Sequence, residues 1–164
     1  MLFRSLAMAT CAVALLGQTP QDAPWQGQWK LASTPDLPAA IEQCTASMSF
    51  VTRPIARSRL KKLNPPYSHL RLTRGGTEIQ VQFEERAPIR MPADGRAVSW
   101  TREDGERFMV SVKTTGDGLI QHYQGEDGAR ENRFRLEGGV LVMEVTVTSG
   151  KLPKPLTYVL KYVR

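Results

Sequence analysis

Trp25-Gln26-Gly27-Gln28-Trp29-Lys30-Leu31 opens the first strand-like run of the chain, and its place among the elements that follow decides the fold. Glycine lets a strand bend where backbone must approach closely. Tryptophan brings a large apolar body with an indole N–H that needs one partner. A Gly-x-Trp at the head of a series of short strands therefore suggests a small barrel, closed at one end by Trp29, with Gly27 permitting the close approach. The strand itself is predicted from about Trp25 to Ala32.

Ser33, Thr34 and Pro35 then give a helix start, a hydroxyl cap followed by proline in the first turn. Leu37, Ile41, Cys44 and Met48 recur at helical spacing and share one face of a helix running to about Ser49. A second helix is predicted from about Pro54 to Leu63, with Thr52 as its cap. Its polar face carries Arg53, Arg57, Arg59, Lys61 and Lys62, and Asn64-Pro65-Pro66 ends it.

From Tyr67 onward the pattern changes to period two. Leu70 and Leu72 alternate with His69 and Arg71, and Ile79, Val81 and Phe83 alternate with Glu78, Gln80 and Gln82. Turns such as Gly75-Gly76, Asp94-Gly95, Asp104-Gly105, Asp117-Gly118, Asp127-Gly128 and Gly138-Gly139 separate further short runs up to Leu156–Val163. Closely spaced turns of this chemistry indicate consecutive antiparallel hairpins. With the first strand they make about ten. So many hairpins are expected to curl and close, because open edges invite aggregation. The predicted fold is an all-β, about ten-stranded antiparallel up-and-down β-barrel with a two-helix insertion between the first and second strands.

The chain has 164 residues and a formal net charge of +6, with a pI of about 9.6. That length suggests one domain with an adequate core. Residues 1–17 read as a signal peptide: Arg4 precedes an apolar run from Leu6 to Leu16, too short to span a bilayer as a helix. Gly17 can precede the cut, although Leu15 is large for its place. Residues 18–24 form a polar spacer and residues 25–164 the barrel domain. A periplasmic or secreted location is expected. Removal of the signal leaves Cys44 as the one cysteine, read as a buried small hydrophobe.

Catalytic signals are poor. Asp94, Asp104, Asp117 and Asp127 sit in Asp-Gly turns, which explains them, and no Ser/His/Asp arrangement, phosphate loop or dinucleotide fingerprint is present. With one cysteine and two histidines, a zinc site has little to build on. His69 and His122 are each a candidate haem ligand, set against a structural or exposed role. An enzyme is not expected, and no cofactor or metal is assigned.

The order of elements and the Trp25–Leu31 motif resemble the calycin superfamily, the lipocalins and intracellular fatty-acid-binding proteins. The aromatic-x-Gly-x-Trp-Lys-Leu opening resembles that of the fatty-acid-binding proteins, which also have ten strands and two short helices between the first and second. The resemblance implies a tryptophan plug opposite a ligand entrance. It implies a carboxylate site as well, but the Arg-x-Tyr of the last strand reads here Leu160-Lys161-Tyr162, so only Tyr162 matches. A second family arginine corresponds to Arg133, whose alternation against Phe134 and Leu136 turns it toward water. An inward unpaired arginine would imply an anionic ligand. Without one, a neutral or weakly polar lipid is expected.

The expected function is an exported barrel that binds a hydrophobic or lipid-like small molecule inside. Phe83, Trp100, Phe108 and Val110 are expected to line the site, with Phe134 and Met143 from later strands. Tyr158 and Tyr162 offer hydroxyls. The interior is expected to keep a cavity, since barrels of this width enclose more than side chains need fill. The basic helix would approach an anionic membrane surface, and nucleic acid is not expected. Two alternatives stand beside this: a filled barrel serving as a protein-interaction or envelope-structural module, and a calycin-like enzyme or haem-binding barrel.

Overall fold

A computed structural model describes residues 23–164; the expected signal peptide lies outside the described residues. Ten strands form one sheet in the order β4-β3-β2-β1-β10-β9-β8-β7-β6-β5, and every hydrogen-bonded pair is antiparallel. The strands are β1 Gly27–Ser33, β2 His69–Gly75, β3 Glu78–Phe83, β4 Ile89–Pro92, β5 Val98–Thr101, β6 Arg107–Thr114, β7 Gly118–Gln124, β8 Gly128–Glu137, β9 Val140–Ser149 and β10 Leu156–Val163. Helices α1 (Leu37–Thr45) and α2 (Thr52–Leu63) sit between β1 and β2.

The wall closes by hydrogen bonds everywhere except between β4 and β5, the two ends of the sheet order. Both are only four residues long. Pro88 and Pro92 flank and end β4, and proline has no N–H to give a ladder. The turn between them satisfies itself, with Asp94 accepting from the Arg96 backbone N–H at 3.0 Å and from Arg96 Nε at 2.8 Å. The barrel is nearly closed, with one seam.

The helix start differs from the sequence reading. Asp36, not Ser33 or Thr34, caps α1, its carboxylate accepting from Ala39 N–H at 3.1 Å, and the proline near the start is Pro38. The helix ends at Thr45, whose hydroxyl donates back to Ile41 C=O at 2.8 Å; Met48 lies beyond it. Leu37, Ile41 and Cys44 are the buried face as expected. At α2 no side chain caps the first turn; instead Thr52 donates its N–H to Ser49 Oγ at 3.2 Å.

The base is built as the opening motif requires. Trp29 is 2% exposed and donates its indole N–H to Trp25 C=O at 3.0 Å. Arg164 lies over the ring, 4.9 Å from its centre, and donates to the carbonyls of Pro24 and Gln26. Gly27 has φ +135°, a backbone conformation that disfavours any side chain. Trp29→Ala is expected to lower stability by about 3–5 kcal/mol, read from the urea midpoint. A loss below about 1 kcal/mol would show that the base does not depend on the indole.

Candidate functional site

Strand register sorts the inward side chains into layers. The strand directions place the helices and the turns after Phe83, Thr101, Gln124 and Ser149 at one end, the mouth, and Trp29 at the other. Trp100 pairs with Phe108 nearest the mouth. Below them come Val110, Tyr123, Arg130, Val147 and Leu156. Next are Val112, Gln121, Asn132, Val145 and Tyr158, and then Leu119, Phe134, Met143 and Leu160. Neighbouring inward residues two apart on β8 therefore read Arg130, Asn132, Phe134, Leu136 from mouth to base.

Arg130 is the site's centre, and the sequence reading missed it. Its Nε donates to Asn132 Oδ1 at 2.8 Å, Nη1 to Asn64 Oδ1 at 3.1 Å, and Nη2 to the Tyr158 hydroxyl at 3.4 Å. All three acceptors are neutral. Its strand neighbours face outward and are paired: Arg133 with Glu131, Arg135 with Glu137 and Glu144. Arg133 thus faces water, as its phase required. The inward arginine is Arg130, three residues earlier, and among the described residues it has no carboxylate partner. A partly buried cation held only by neutral acceptors lacks the counter-charge that normally offsets its desolvation.

Three of the four tyrosines of the chain, Tyr123, Tyr158 and Tyr162, gather near this guanidinium, and Tyr67 lies beside them. Tyr158 touches it directly, and the Tyr162 hydroxyl donates to Tyr67 C=O at 3.1 Å. Burial pushes the phenols of Tyr123, Tyr158 and Tyr162 above their ordinary value, against the opposing pull of the Arg130 charge. Beside them Trp100, Phe108 and Tyr123 form a three-ring cluster with centres 5.8 to 6.2 Å apart. Tyr67 stacks on Phe83 at 4.7 Å. Trp100, Phe108, Arg130 and Tyr67 each keep some accessible surface.

The rest of the interior is packed, which corrects the expected deep cavity. Val110, Met143 and Tyr162 are 0% exposed and Phe134 1%. A void that admits water would leave accessible surface on the side chains around it. Large inward residues fill the lower barrel, and the walls meet inside it: Gln121 Nε2 on β7 reaches Met91 Sδ on β4 at 3.6 Å. A cleft of about 390 Å³ lies outside the wall, between α1 and the start of β10. Of the side chains expected to line the site, Trp100, Phe108 and Tyr158 stand with Arg130, and Phe83 packs against Tyr67. Val110, Phe134, Met143 and Tyr162 belong to the close-packed interior.

The expected haem ligands are on the wrong face. His69 is exposed beside Glu84, and His122 alternates against the inward Gln121 and Tyr123. No group of three or more metal-ligating side chains occurs among the described residues.

The cations of α2 divide. Arg53 donates to the carbonyls of Ala46 and Met48, the latter at 2.9 Å, and Arg57 pairs with Glu42. Both are used in holding the helices together. Arg59, Lys61 and Lys62 are exposed. Next to them Phe50 is 87% and Ile55 67% exposed, with Val51 also outward.

No protein-family model matches the chain, and no curated protein matches it. Solved structures do. A Schistosoma mansoni fatty acid binding protein in complex with arachidonic acid superposes with a TM-score of 0.55 at 18% identity, over 87% of this chain and 96% of that one. A secretory abundant heat soluble protein from Ramazzottius varieornatus gives 0.61 at 9% identity, over 86% and 95%. A zebrafish ileal bile acid-binding protein complexed with cholic acid gives 0.53 at 11% identity, over 86% and 98%. At these identities the likeness establishes the fold alone: a ten-stranded antiparallel β-barrel with two helices between its first and second strands.

Burial keeps Tyr123, Tyr158 and Tyr162 protonated in the folded state, while unfolding returns them to the ordinary phenol value of about 10. Between that value and the raised folded one, the native state binds more protons than the unfolded. Stability is then fully present at neutral pH and falls as pH climbs past about 10. Urea midpoints across this range, with absorbance titration of the phenols, test this. Native-state ionisation of Tyr123, Tyr158 and Tyr162 at the ordinary value would contradict it.

Proposed function

We propose that this chain is a small-molecule binding barrel whose ligand is amphipathic and anionic, with its acidic head on Arg130 and its apolar part against Trp100, Phe108 and Tyr123. The observation that carries this reading is the Arg130 guanidinium, inward-facing and satisfied only by Asn132, Asn64 and Tyr158. A carboxylate or similar head would supply the missing charge, and charge-assisted hydrogen bonds are about twice as strong as neutral ones. The fold is shared with proteins solved with arachidonic acid and with cholic acid, both amphipathic acids. This replaces the neutral lipid expected from Leu160 and Arg133.

We extend the proposal to where the protein works. Residues 1–17 have the pattern of an export signal, which supports a periplasmic or secreted barrel; fractionation and N-terminal sequencing of the mature protein test it. Val51, Ile55, Arg59 and Lys62 lie at helical spacing on one face of α2, with Phe50 at its tip. Apolar side chains beside cations suit contact with an anionic bilayer surface. Co-sedimentation with phosphatidylglycerol vesicles, but not with phosphatidylcholine vesicles, is the expected result. It should be lost when Phe50 and Ile55 are both changed to Ser.

The packed lower barrel favours a second reading, a filled module that acts only through its surface. Displacement of bound anilinonaphthalene sulfonate by fatty acids or bile salts separates the two. Arg130→Leu is expected to weaken binding of an acidic ligand by roughly 10- to 100-fold, the range for a hydrogen bond to a charged group, with circular dichroism unchanged. Unaltered affinity, or no probe binding by the wild type, would favour the second reading.

A further inference from the structure

Below Arg130 a buried layer reaches across the barrel from β8 through β7 to Met91 on β4. Asn132 and Gln121 are both 0% exposed. Asn132 Nδ2 donates to Gln121 Oε1 at 3.1 Å, and Gln121 Nε2 continues to Met91 Sδ. The flanking inward side chains in the same register layer, Val112 and Val145, are each 1% exposed, and Tyr158 is 6% exposed. Above this layer lie Arg130, Trp100 and Phe108, all with accessible surface. Beneath it the first inward residues are Leu119 and Phe134, at 0% and 1%.

Two amides in the middle of an apolar barrel are expensive unless their groups are paired. Here one hydrogen bond joins the two amides, from Asn132 Nδ2 to Gln121 Oε1, and Asn132 Oδ1 accepts from the Arg130 Nε. The chain Arg130–Asn132–Gln121–Met91 therefore does two things at once. It orients the guanidinium toward the mouth and blocks the path from the guanidinium to the base. Moving an acyl chain down that path would break the amide pair and leave buried polar groups unsatisfied. Moving it sideways, toward Trp100 and Phe108, breaks none of them.

We infer that the Gln121–Asn132 pair is the specificity-determining floor of the site, and that the ligand is a compact amphipathic anion, short-chained or ring-bodied, rather than an extended long-chain lipid. This rests on the reading of Arg130 as the anion site. The floor sets ligand length, and the aromatic cluster sets ligand breadth.

The test is calorimetric titration of the full mature protein with alkanoates from hexanoate to hexadecanoate, and with naphthoate as a compact ring-bodied anion. Affinity is expected to rise with chain length as far as about octanoate and then to level. A channel open to the base would instead add roughly fourfold per methylene throughout. Naphthoate is expected to bind at least as tightly as octanoate. Gln121→Ala removes the amide and should let dodecanoate gain roughly tenfold over octanoate, the effect of one to two newly buried methylenes. Gln121→Leu keeps the bulk and should keep the wild-type cut-off, which guards against an alanine variant that fails to fold. Arg130-dependent binding that keeps tightening to hexadecanoate in the wild type would overturn the floor while leaving the anion site intact. Binding that ignores Arg130→Leu would remove the anion site, and the floor with it.

Discussion

From Leu156 to Tyr162, β10 pairs with β9 without a break, β9 continues into β8 from Val140 to Ser149, and β8 into β7 and β7 into β6 in the same way. This uninterrupted antiparallel register is what the rest of the molecule depends on. Side chains alternate strictly between the two faces of a strand, so a slip of one residue would exchange every inward and outward group. Because the register holds over five strands, Arg130, Asn132 and Phe134 fall into successive layers with defined neighbours. Glycine guards it: a Cβ at Gly118 would stand 1.9 Å from the Phe134 carbonyl oxygen, so β7 can approach β8 there only without a side chain.

The layers give the barrel two unlike halves. The base is a conventional core of Trp, Phe, Met and Leu, sealed by the Trp29 indole and covered from outside by Arg164. The mouth half holds an arginine, two amides and the phenols. Polar groups there are tolerated because they satisfy one another, and Asn64, at the end of α2, joins them. Its amide donates to Leu60 C=O at 2.9 Å while its oxygen accepts from Arg130. One side chain thereby ties the helical cover to the wall beneath it. Outward Arg133 and Arg135, by contrast, have carboxylates beside them. The asymmetry between Arg130 and Arg133 follows from burial: solvent screens the outer charge and cannot reach the inner one freely.

The helical cover is built from similar economies. Arg53 and Arg57, which the polar face of α2 suggested as solvent-facing, turn back to cap the end of α1 and to pair with Glu42. That leaves a smaller cationic group, Arg59, Lys61 and Lys62, beside the exposed Phe50 and Ile55. The same short helix thus holds its neighbour with one part of its charge and presents the remainder outward.

Much of this was legible in the chain. Period-two runs separated by Asp-Gly and Gly-Gly turns determined ten antiparallel strands, and the Leu37–Ile41–Cys44 spacing determined which face of α1 is buried. The Gly-x-Trp motif determined the plug, since a buried indole at a strand head has few other uses. Even Arg130 was in phase with Phe134 and Leu136, and counting back by twos would have found it; it was hidden because it follows the Gly125–Gly128 turn directly, where strand phase is hardest to trust. What only the tertiary structure decided was what fills the barrel and who partners whom across it. Periodicity says which side chains point inward. It carries no information about how far apart opposite walls stand, and that distance, short enough for Gln121 to meet Met91, determines whether inward residues line a hollow or pack into a solid.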